Sequence, residues 1–414
     1  MKKKGFTLIE LLAVIVILAI IAVITVPKIA DMISSSRMGG AEDSFYGTLK
    51  AAELGYTKAL QSKTDLKGDT CDLSKVSGDK VTCTNGTVIA FTGKVPEKGT
   101  LIIDSAGSTI AKEITLNGYK CYGDLSTKNP CIKGSEKVIS ETLISKKTTS
   151  GDGIYSDSYE AERYVFKGLN PSNYLKFNNE VFRIISVEAD GTIKIVKQAN
   201  LGSRPYDKTG NRDKTSNGAG GTYCASSTTG CNVWAATEHF INGSLKGSVL
   251  KDSSLKEYLN NEYYNSLNND AKSQIQAHNF YYGPSDSLST TQTIKSTIDS
   301  EKKYTWQGKV GLIQTSDYLR ATLSSTCVSI YDAFQTPDNC GRQNYLVLRD
   351  TQWPWFINSF PGINNSIFTM SENGFIYQAS TGAMGDRGVW PAMFLNPNLQ
   401  ITGSGTSSDP YKII

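Results

Sequence analysis

The sequence predicts an α+β protein in which a long N-terminal helix packs on a small antiparallel sheet and a second, mixed α+β domain follows. Three observations predict this class. An almost entirely apolar stretch opens the chain, apolar residues recur at helical spacing up to about residue 62, and short strand-like segments separated by glycine come next. The chain has 414 residues, which is enough for more than one hydrophobic core.

Residues 6–26 form the apolar stretch, and only Thr7, Glu10 and Thr25 in it are polar. As a helix it would be about 32 Å long, which matches a bilayer core of about 30 Å. Three lysines precede it, so the N-terminus should be cytoplasmic. A secretory signal peptide would need a small-residue cleavage site after the stretch, and none follows. A plain anchor explains the length and the charge, but it does not explain an acid at membrane depth.

The segment Gly5-Phe6-Thr7-Leu8-Ile9-Glu10-Leu11-Leu12 resembles the class III signal of type IV prepilins and pseudopilins. The resemblance implies that residues 1–5 are a leader, that a prepilin peptidase cleaves between Gly5 and Phe6, and that Phe6 is then N-methylated. It also implies that Glu10 pairs with the new N-terminal amine of a neighbouring pilin subunit, because opposite charges stabilise each other where water is scarce.

Pro27 lies where type IV pilins also tend to carry a proline, and it removes one helix hydrogen bond. It therefore either kinks the helix or merely ends the membrane span, and the helix can continue in both cases. The helix is predicted over residues 6–62, with an apolar stripe listed as Met38, Ala41, Phe45, Leu49, Ala52, Tyr56 and Ala59.

A β-rich head is predicted at residues 63–135, with strands near 87–92, 100–104 and 108–117, and a C-terminal edge strand carrying Cys121 and Cys131. A helix on such a sheet resembles the pilin head. Residues 136–158 are rich in Ser, Lys, Thr and Gly and are predicted to be a linker.

The C-terminal surface domain is predicted over residues 159–414. Strands are expected near 163–167, 174–177, 181–188 and 192–197, and a capping box at residues 254–257 should begin a helix. Segments such as Gly388-Val389-Trp390-Pro391-Ala392 look like a domain recurring on surface proteins of Gram-positive bacteria. The resemblance implies a fold similar to C-type-lectin-like and formylglycine-generating-enzyme-like domains.

Eight cysteines form four near-neighbour pairs: Cys71 and Cys83, Cys121 and Cys131, Cys224 and Cys231, Cys327 and Cys340. An even count beyond a membrane segment predicts disulfides, and local pairing is the simplest of 105 connectivities. Zinc is disfavoured because no C-x-x-C is present and only two histidines could add ligands.

No catalytic, cofactor-binding or metal-binding residue is predicted, so we expect no enzyme and no cofactor. His239 and His278 are the only histidines, and no nucleophile elbow or phosphate loop accompanies them. Trp353, Trp355 and Trp390 could form a carbohydrate-stacking floor, although large aromatic side chains are more often core residues.

The sequence thus predicts a pilin-like filament subunit that starts in the inner membrane and ends on the cell surface, where it displays a binding or adhesion domain. A glycan or another surface ligand is one expected partner. The alternative is a pseudopilin of a DNA-uptake or type II-like secretion machine. DNA itself is disfavoured, since loss of Lys2, Lys3 and Lys4 would leave 40 basic against 39 acidic residues, a net charge of +1.

Overall fold

The computed structural model describes residues 8–62, 66–134, 136–212, 230–241, 244–249, 251–285, 291–336, 340–348, 351–363, 365–379 and 382–414, with backbone alone at 8–27, 29–31, 237–241 and 244–249. The chain divides into two compact units. The first unit is Met1–Leu125 with Asn129–Glu136, and the second is Ser126–Lys128 with Lys137–Ile414. Long helix, antiparallel sheets and short helices together confirm the predicted α+β class.

Helix α1 (Leu8–Ser62) opens the first unit and runs through Pro27 without interruption. Its buried face follows the predicted stripe, since Ala41, Phe45, Leu49, Ala52 and Tyr56 are all fully buried. Steps of three and four residues place these side chains on one face of a 3.6-residue helix. The head therefore holds the C-terminal part of α1, while nearly all the described side chains between residues 28 and 40 are exposed.

The sheet of the first unit packs against this face of α1. Its five strands lie in the order β1-β4-β5-β6-β7, every neighbouring pair is antiparallel, and β2 pairs with β3 in a separate hairpin. The strands are β1 (Asp69–Asp72), β2 (Lys80–Thr82), β3 (Val88–Ala90), β4 (Lys98–Ile103), β5 (Thr109–Leu116), β6 (Tyr119–Gly123) and β7 (Cys131–Lys133).

Disulfides are present in both units. Two of them fasten the head: Cys71–Cys83, and Cys121–Cys131 between strands β6 and β7. The sequence places this second pair on one edge strand, whereas the structure puts its members on two adjacent strands. The second unit contains Cys327–Cys340. Cys231 is also disulfide-bonded, and Cys224 lies outside the described residues.

The second unit contains short helices and many short strands. The helices are α2 (Ile139–Ile144), α3 (Ser254–Glu257), α4 (Tyr264–Ser266), α5 (Asn269–Gln274), α6 (Ile294–Glu301), α7 (Thr315–Arg320) and α8 (Ile330–Gln335), with a π-helix (Tyr258–Tyr263) between α3 and α4. The strands are β8 (Gly153–Ser156), β9 (Tyr164–Lys167), β10 (Tyr174–Phe177), β11 (Glu180–Val187), β12 (Ile193–Lys197), β13 (Ser203–Pro205), β14 (Thr237–Ile241), β15 (Ser244–Val249), β16 (Ile275–Gln276), β17 (His278–Tyr281), β18 (Thr305–Gly308), β19 (Val310–Gly311), β20 (Trp355–Ser359), β21 (Ile367–Met370), β22 (Ile376–Gln378), β23 (Asp386–Gly388), β24 (Ala392–Leu395), β25 (Ile401–Thr402) and β26 (Tyr411–Ile413).

The main sheet of this unit has the central order β16-β24-β12-β11-β10-β26-β25, with β8, β9 and β19 attached to it. Strands β10 and β11 form a hairpin whose turn residues, Asn178 and Asn179, have φ angles of 50° and 60°. Asparagine tolerates this left-handed conformation, which a two-residue hairpin turn requires. Strand β26 pairs with β10 in parallel.

Residues 137–158 of the predicted linker (136–158) are instead part of the second unit. Helix α2 buries Ile139 and Leu143 in its core, and β8 pairs with β9. The Ser- and Gly-rich composition of this segment predicts a loop. Its apolar residues are few, but they are sufficient to hold a short helix and a strand against the core.

The helix expected from the capping box at residues 254–257 begins one residue earlier than that pattern implies. Ser253, and not Ser254, is the N-cap, because its side chain accepts a hydrogen bond from the backbone N–H of Lys256.

Within the described part of the chain, no helix is both long and apolar enough to cross a membrane. The span predicted at residues 6–26 lies where side chains are not described.

Candidate functional site

The N-terminal residues singled out by the sequence lie on or before α1. Glu10 and Pro27 belong to its backbone, but their side chains are not described, and Gly5 and Phe6 lie outside the described residues. The predicted roles of these four residues in cleavage, methylation, assembly and bending therefore stay predictions.

The head fixes the far end of the helix that carries these residues. The Tyr56 hydroxyl donates a hydrogen bond of 3.0 Å to the Leu66 carbonyl and accepts one of 2.9 Å from the Gly68 N–H. Gly55 lets strand β3 approach, since a Cβ there would lie 2.5 Å from the Val88 carbonyl oxygen. The helix is therefore held by both packing and hydrogen bonds where the chain turns into the sheet.

Residues 1–26 match the family model described as a prokaryotic N-terminal methylation motif. The chain carries the N-terminus of a type IV prepilin or pseudopilin. Such an N-terminus makes it a substrate for a prepilin peptidase, and it implies membrane anchoring followed by assembly with other pilins. No curated protein and no solved structure matches the chain.

A second candidate site, a cluster of buried charges, lies in the second unit. Arg163 is at its centre and is 5% exposed. Its guanidinium donates to Asp157 Oδ2 at 2.7 Å and to Glu188 Oε2 at 2.9 Å. Burial disfavours the charged guanidinium, but the Glu188 and Asp157 carboxylates outweigh that effect and raise the pKa of Arg163.

Arg320 joins the same cluster from helix α7. It bonds to Asp157 Oδ2 at 2.9 Å and also to Glu160, which Lys302 contacts as well. Burial of Glu160 favours its neutral form, yet Arg320, Arg163 and Lys302 together lower its pKa to about 2. The carboxylate is thus ionised at any physiological pH.

Asp317, also on α7, lies deepest in the cluster. Lys194 Nζ is 2.6 Å from Asp317 Oδ2, and both side chains are almost fully buried. Burial raises the pKa of Asp317, but Lys194, Arg320 and Arg163 lower it by more. The lysine also donates to Gln314 Oε1 at 2.8 Å, so the ion pair is held within a hydrogen-bonded network.

Glu301 is a buried carboxylate next to this network. It accepts hydrogen bonds from Thr315 Oγ1 at 2.6 Å, from the Ser316 N–H at 3.0 Å and from Gln314 Nε2 at 3.0 Å. Burial raises the pKa of Glu301 despite these donors. The carboxylate ties α6, on which it lies, to the start of α7.

His278 closes the cluster on one side. Its Nε2 lies 3.1 Å from Asp190 Oδ2, its Nδ1 lies 3.4 Å from the Asn279 carbonyl oxygen, and its ring stacks on Phe394 with centroids 4.0 Å apart. Both ring nitrogens thus face oxygen acceptors, so neither is directed at a hydroxyl or thiol nucleophile. A cavity of about 40 Å³ remains between the charges, which has room for water but not for a substrate.

The cluster therefore acts as an ionic core that joins α7 to the strands and turns around it. Sequence reasoning missed it because its members are separated by up to about 160 residues and no local pattern connects them. Neither in this cluster nor elsewhere in the described ranges could a group of three or more His, Cys, Asp or Glu side chains hold a metal ion.

The three tryptophans considered for a carbohydrate-stacking floor occupy different environments. Trp355 and Trp390 are buried in the core, at 1% and 3% exposure, whereas Trp353 is half-buried at the surface. His239, the second histidine, lies where side chains are not described.

Proposed function

We propose that this protein is a type IV pilin-like filament subunit that displays its second unit outside the cell as a binding or adhesion domain. In this proposal the peptidase cleaves after Gly5, Phe6 is methylated, and Glu10 pairs with the N-terminal amine of the next subunit. The protein is not an enzyme and needs no cofactor.

The observation that carries the proposal is the methylation motif at the start of a helix that continues unbroken into a folded head. Full burial of α1 side chains by the head begins at Ala41, while Met38 packs partly on the head and the Tyr119 hydroxyl donates to the Ser34 carbonyl. Before these residues, Met32 and Ile33 expose 73% and 49% of their surface to solvent. Packing of this part of α1 against another subunit, as the proposal requires, would bury these two apolar side chains.

The binding role of the second unit is supported by its size and construction. It has its own extensive hydrophobic core, and its buried charges form ion pairs and hydrogen bonds with each other. Such an ionic network favours a rigid scaffold for a binding surface over a reacting centre, which would direct a base at a nucleophile.

Replacing Glu10 with Val tests the filament role. The variant should still insert into the membrane, because Val is more apolar than Glu, but it should enter surface filaments poorly because the partner of the N-terminal amine is lost. Immunogold labelling of surface filaments, together with membrane fractionation, measures both properties. The E372V variant, which removes an exposed acid of the second unit, is the matched control. Normal filament incorporation of E10V would contradict the proposal.

The alternative role, a pseudopilin of a DNA-uptake or secretion machine, shares the same N-terminus. Negative-stain imaging separates the two, since a filament subunit is found along or at the tip of surface fibres and a pseudopilin remains in the envelope. Mass spectrometry of the native protein checks the shared step. An intact Met1 terminus, together with the absence of the protein from every fibre, would contradict both roles.

A further inference from the structure

Two arginines of the second unit lie directly opposite each other on neighbouring strands. Arg204 on β13 is the registered partner of Arg387 on β23 in an antiparallel pair. Residues opposed in this way project their side chains from the same face of the sheet. Like charges at such positions destabilise a strand pair, so this arrangement needs a compensating interaction.

Aromatic rings provide part of that compensation. The Arg204 guanidinium lies 3.5 Å from the centroid of the Tyr258 ring, and the Arg387 guanidinium lies 5.7 Å from that of Trp353. Among the described residues, neither arginine forms an ion pair with a carboxylate. Within the described residues, the Nε atom of Arg387 is buried and has no hydrogen-bond partner. In the described part of the chain, no carboxylate is therefore in direct contact with either guanidinium.

A pocket of about 280 Å³ opens beside Arg204. This volume is near the lower limit of ordinary small-molecule pockets, about 300 Å³. Its polar lining combines donors and acceptors, and the residues are Arg204, Lys208, Glu257, Asn261 and Glu262, with Tyr258 as the aromatic wall. Asn261 and Glu262 lie on the π-helix, a rare conformation that occurs frequently at functional sites.

The backbone near Arg387 is also unusual. Trp353 has a φ of 43°, in the left-handed region that large side chains rarely adopt. Its ring stacks on Tyr377 with centroids 5.5 Å apart and planes 13° apart. Strained residues of this kind persist where the surrounding structure holds them, and they cluster at binding sites.

We propose that this pocket binds a saccharide that carries a carboxylate group, and that Arg204 binds the carboxylate. A guanidinium stacked on a ring keeps its N–H edge free for a two-point contact with a planar carboxylate. Glu257, Glu262 and Asn261 supply acceptors and donors for the sugar hydroxyls. Two cations, Arg204 and Lys208, face these two glutamates in the lining, so the pocket has no excess of positive charge. It therefore suits a ligand with a single carboxylate better than a polyanion such as a nucleic acid.

The inference rests on the proposed display of the second unit outside the cell, but its test is independent of filaments. Detergent-solubilised full-length protein is titrated with fluorescent oligosaccharides that contain glucuronic, galacturonic or N-acetylneuraminic acid. Each is paired with the same oligosaccharide after reduction of its carboxyl groups to alcohols. At least one acidic form should bind at least tenfold more tightly than its reduced form.

The R204Q variant should lose this preference, so that acidic and reduced forms bind it equally weakly. R204K keeps the charge but lacks the planar fork, and it should recover only part of the affinity. R387Q should weaken binding less, because Arg387 is the neighbour of the proposed contact. R37Q, which removes an exposed arginine of the first unit, is the matched control and should bind as the wild type does.

Three results would overturn the inference: no binding of any acidic oligosaccharide by the wild type, an unchanged preference in R204Q, or tighter binding of a single-stranded DNA oligonucleotide than of any saccharide. Thermal unfolding of each variant shows whether the fold is intact. If R204Q loses saccharide binding while filaments form normally, the result bears on this site alone. If filaments are absent while saccharide binding is normal, the result bears on the filament role alone.

Discussion

A single buried carboxylate, Asp317, faces three cations in the second unit. Lys194 contacts it at 2.6 Å, while Arg163 and Arg320 lie 3.7 and 3.8 Å from its other oxygen. Removing one member of such a group leaves charges that are buried and no longer compensated, and the cost then greatly exceeds that of losing a surface pair.

Asp317→Asn should therefore lower the free energy of unfolding by about 3–5 kcal/mol, because three buried cations lose their shared anion. Urea denaturation followed by tryptophan fluorescence measures it. Asp299→Asn is the matched control, since Asp299 pairs with Lys295 while more than half exposed, and should change stability by less than about 1 kcal/mol. Equal effects of both substitutions would mean that the buried cluster has no special role.

His278 and Asp190 make the stability of the second unit depend on pH. Burial lowers the pKa of His278, but Asp190 outweighs this and raises it above the ordinary value of about 6.5. A histidine with a raised pKa stabilises the fold fully below about pH 6.5, and this stability disappears as the pH rises through the folded pKa. The pKa of Asp190 is lowered, so its contribution is present above about pH 4 and is lost in stronger acid.

We expect His278→Gln to destabilise the protein most between about pH 4 and 6.5 and progressively less at higher pH. Thermal unfolding of wild type and variant from about pH 4 to well above pH 6.5 gives the difference. His239→Gln, which removes the other histidine, should leave the pH dependence as it is in the wild type. A difference for His278→Gln that grows as the pH rises would reverse the assigned sign.

Helix α1 shows how two glycines of one element can differ. At Gly55 an added Cβ would lie 2.5 Å from the Val88 carbonyl oxygen, whereas at Gly47 it would meet nothing within 4 Å. Backbone cannot yield as the end of a flexible side chain can, so Gly55 allows a close approach and Gly47 only lowers helix propensity.

Gly55→Ala should accordingly destabilise the head by at least about 1 kcal/mol, since strand β3 must move away from the helix. Gly47→Ala, the matched control in the same helix, should stabilise it by up to about 1 kcal/mol. Unfolding of the two full-length variants in detergent, monitored by circular dichroism, gives both values. A stabilising Gly55→Ala would show that β3 is not closely packed on α1.

The elements predicted from sequence were those with a local signal. The apolar stripe from Ala41 to Tyr56 and the strands expected near 174–177 and 181–188 depend on nearby residues, and the structure contains them. Helix α2 was missed because its few apolar residues lie in a Ser- and Lys-rich segment. The ionic cluster and the Arg204–Arg387 pair could not be predicted, since each joins residues that only the folded sheets bring together.

At the scale of the whole molecule, the buried hydrophobic residues that the structure describes form two separate cores. One contains Phe45 of α1, and the other contains Phe182 of β11, and both side chains are fully buried. A substitution in one core should therefore act on the unit to which that core belongs.

Phe45→Ala should destabilise the first unit by about 3–5 kcal/mol, and Phe182→Ala should do the same to the second, because each leaves a large cavity. Hydrogen exchange read out by mass spectrometry can follow the peptides of both units in one sample. Each variant is the control for the other. Faster exchange throughout both units in either variant would mean that the two cores unfold together.

The parallel pairing of β26 with β10 has a consequence for the order of events during biogenesis. Residues 411–413 complete a sheet whose neighbouring strand is made more than 200 residues earlier. Until those last residues have been synthesised, that edge stays unpaired and open to chance association. A chaperone that covers the edge would protect the nascent domain during that interval.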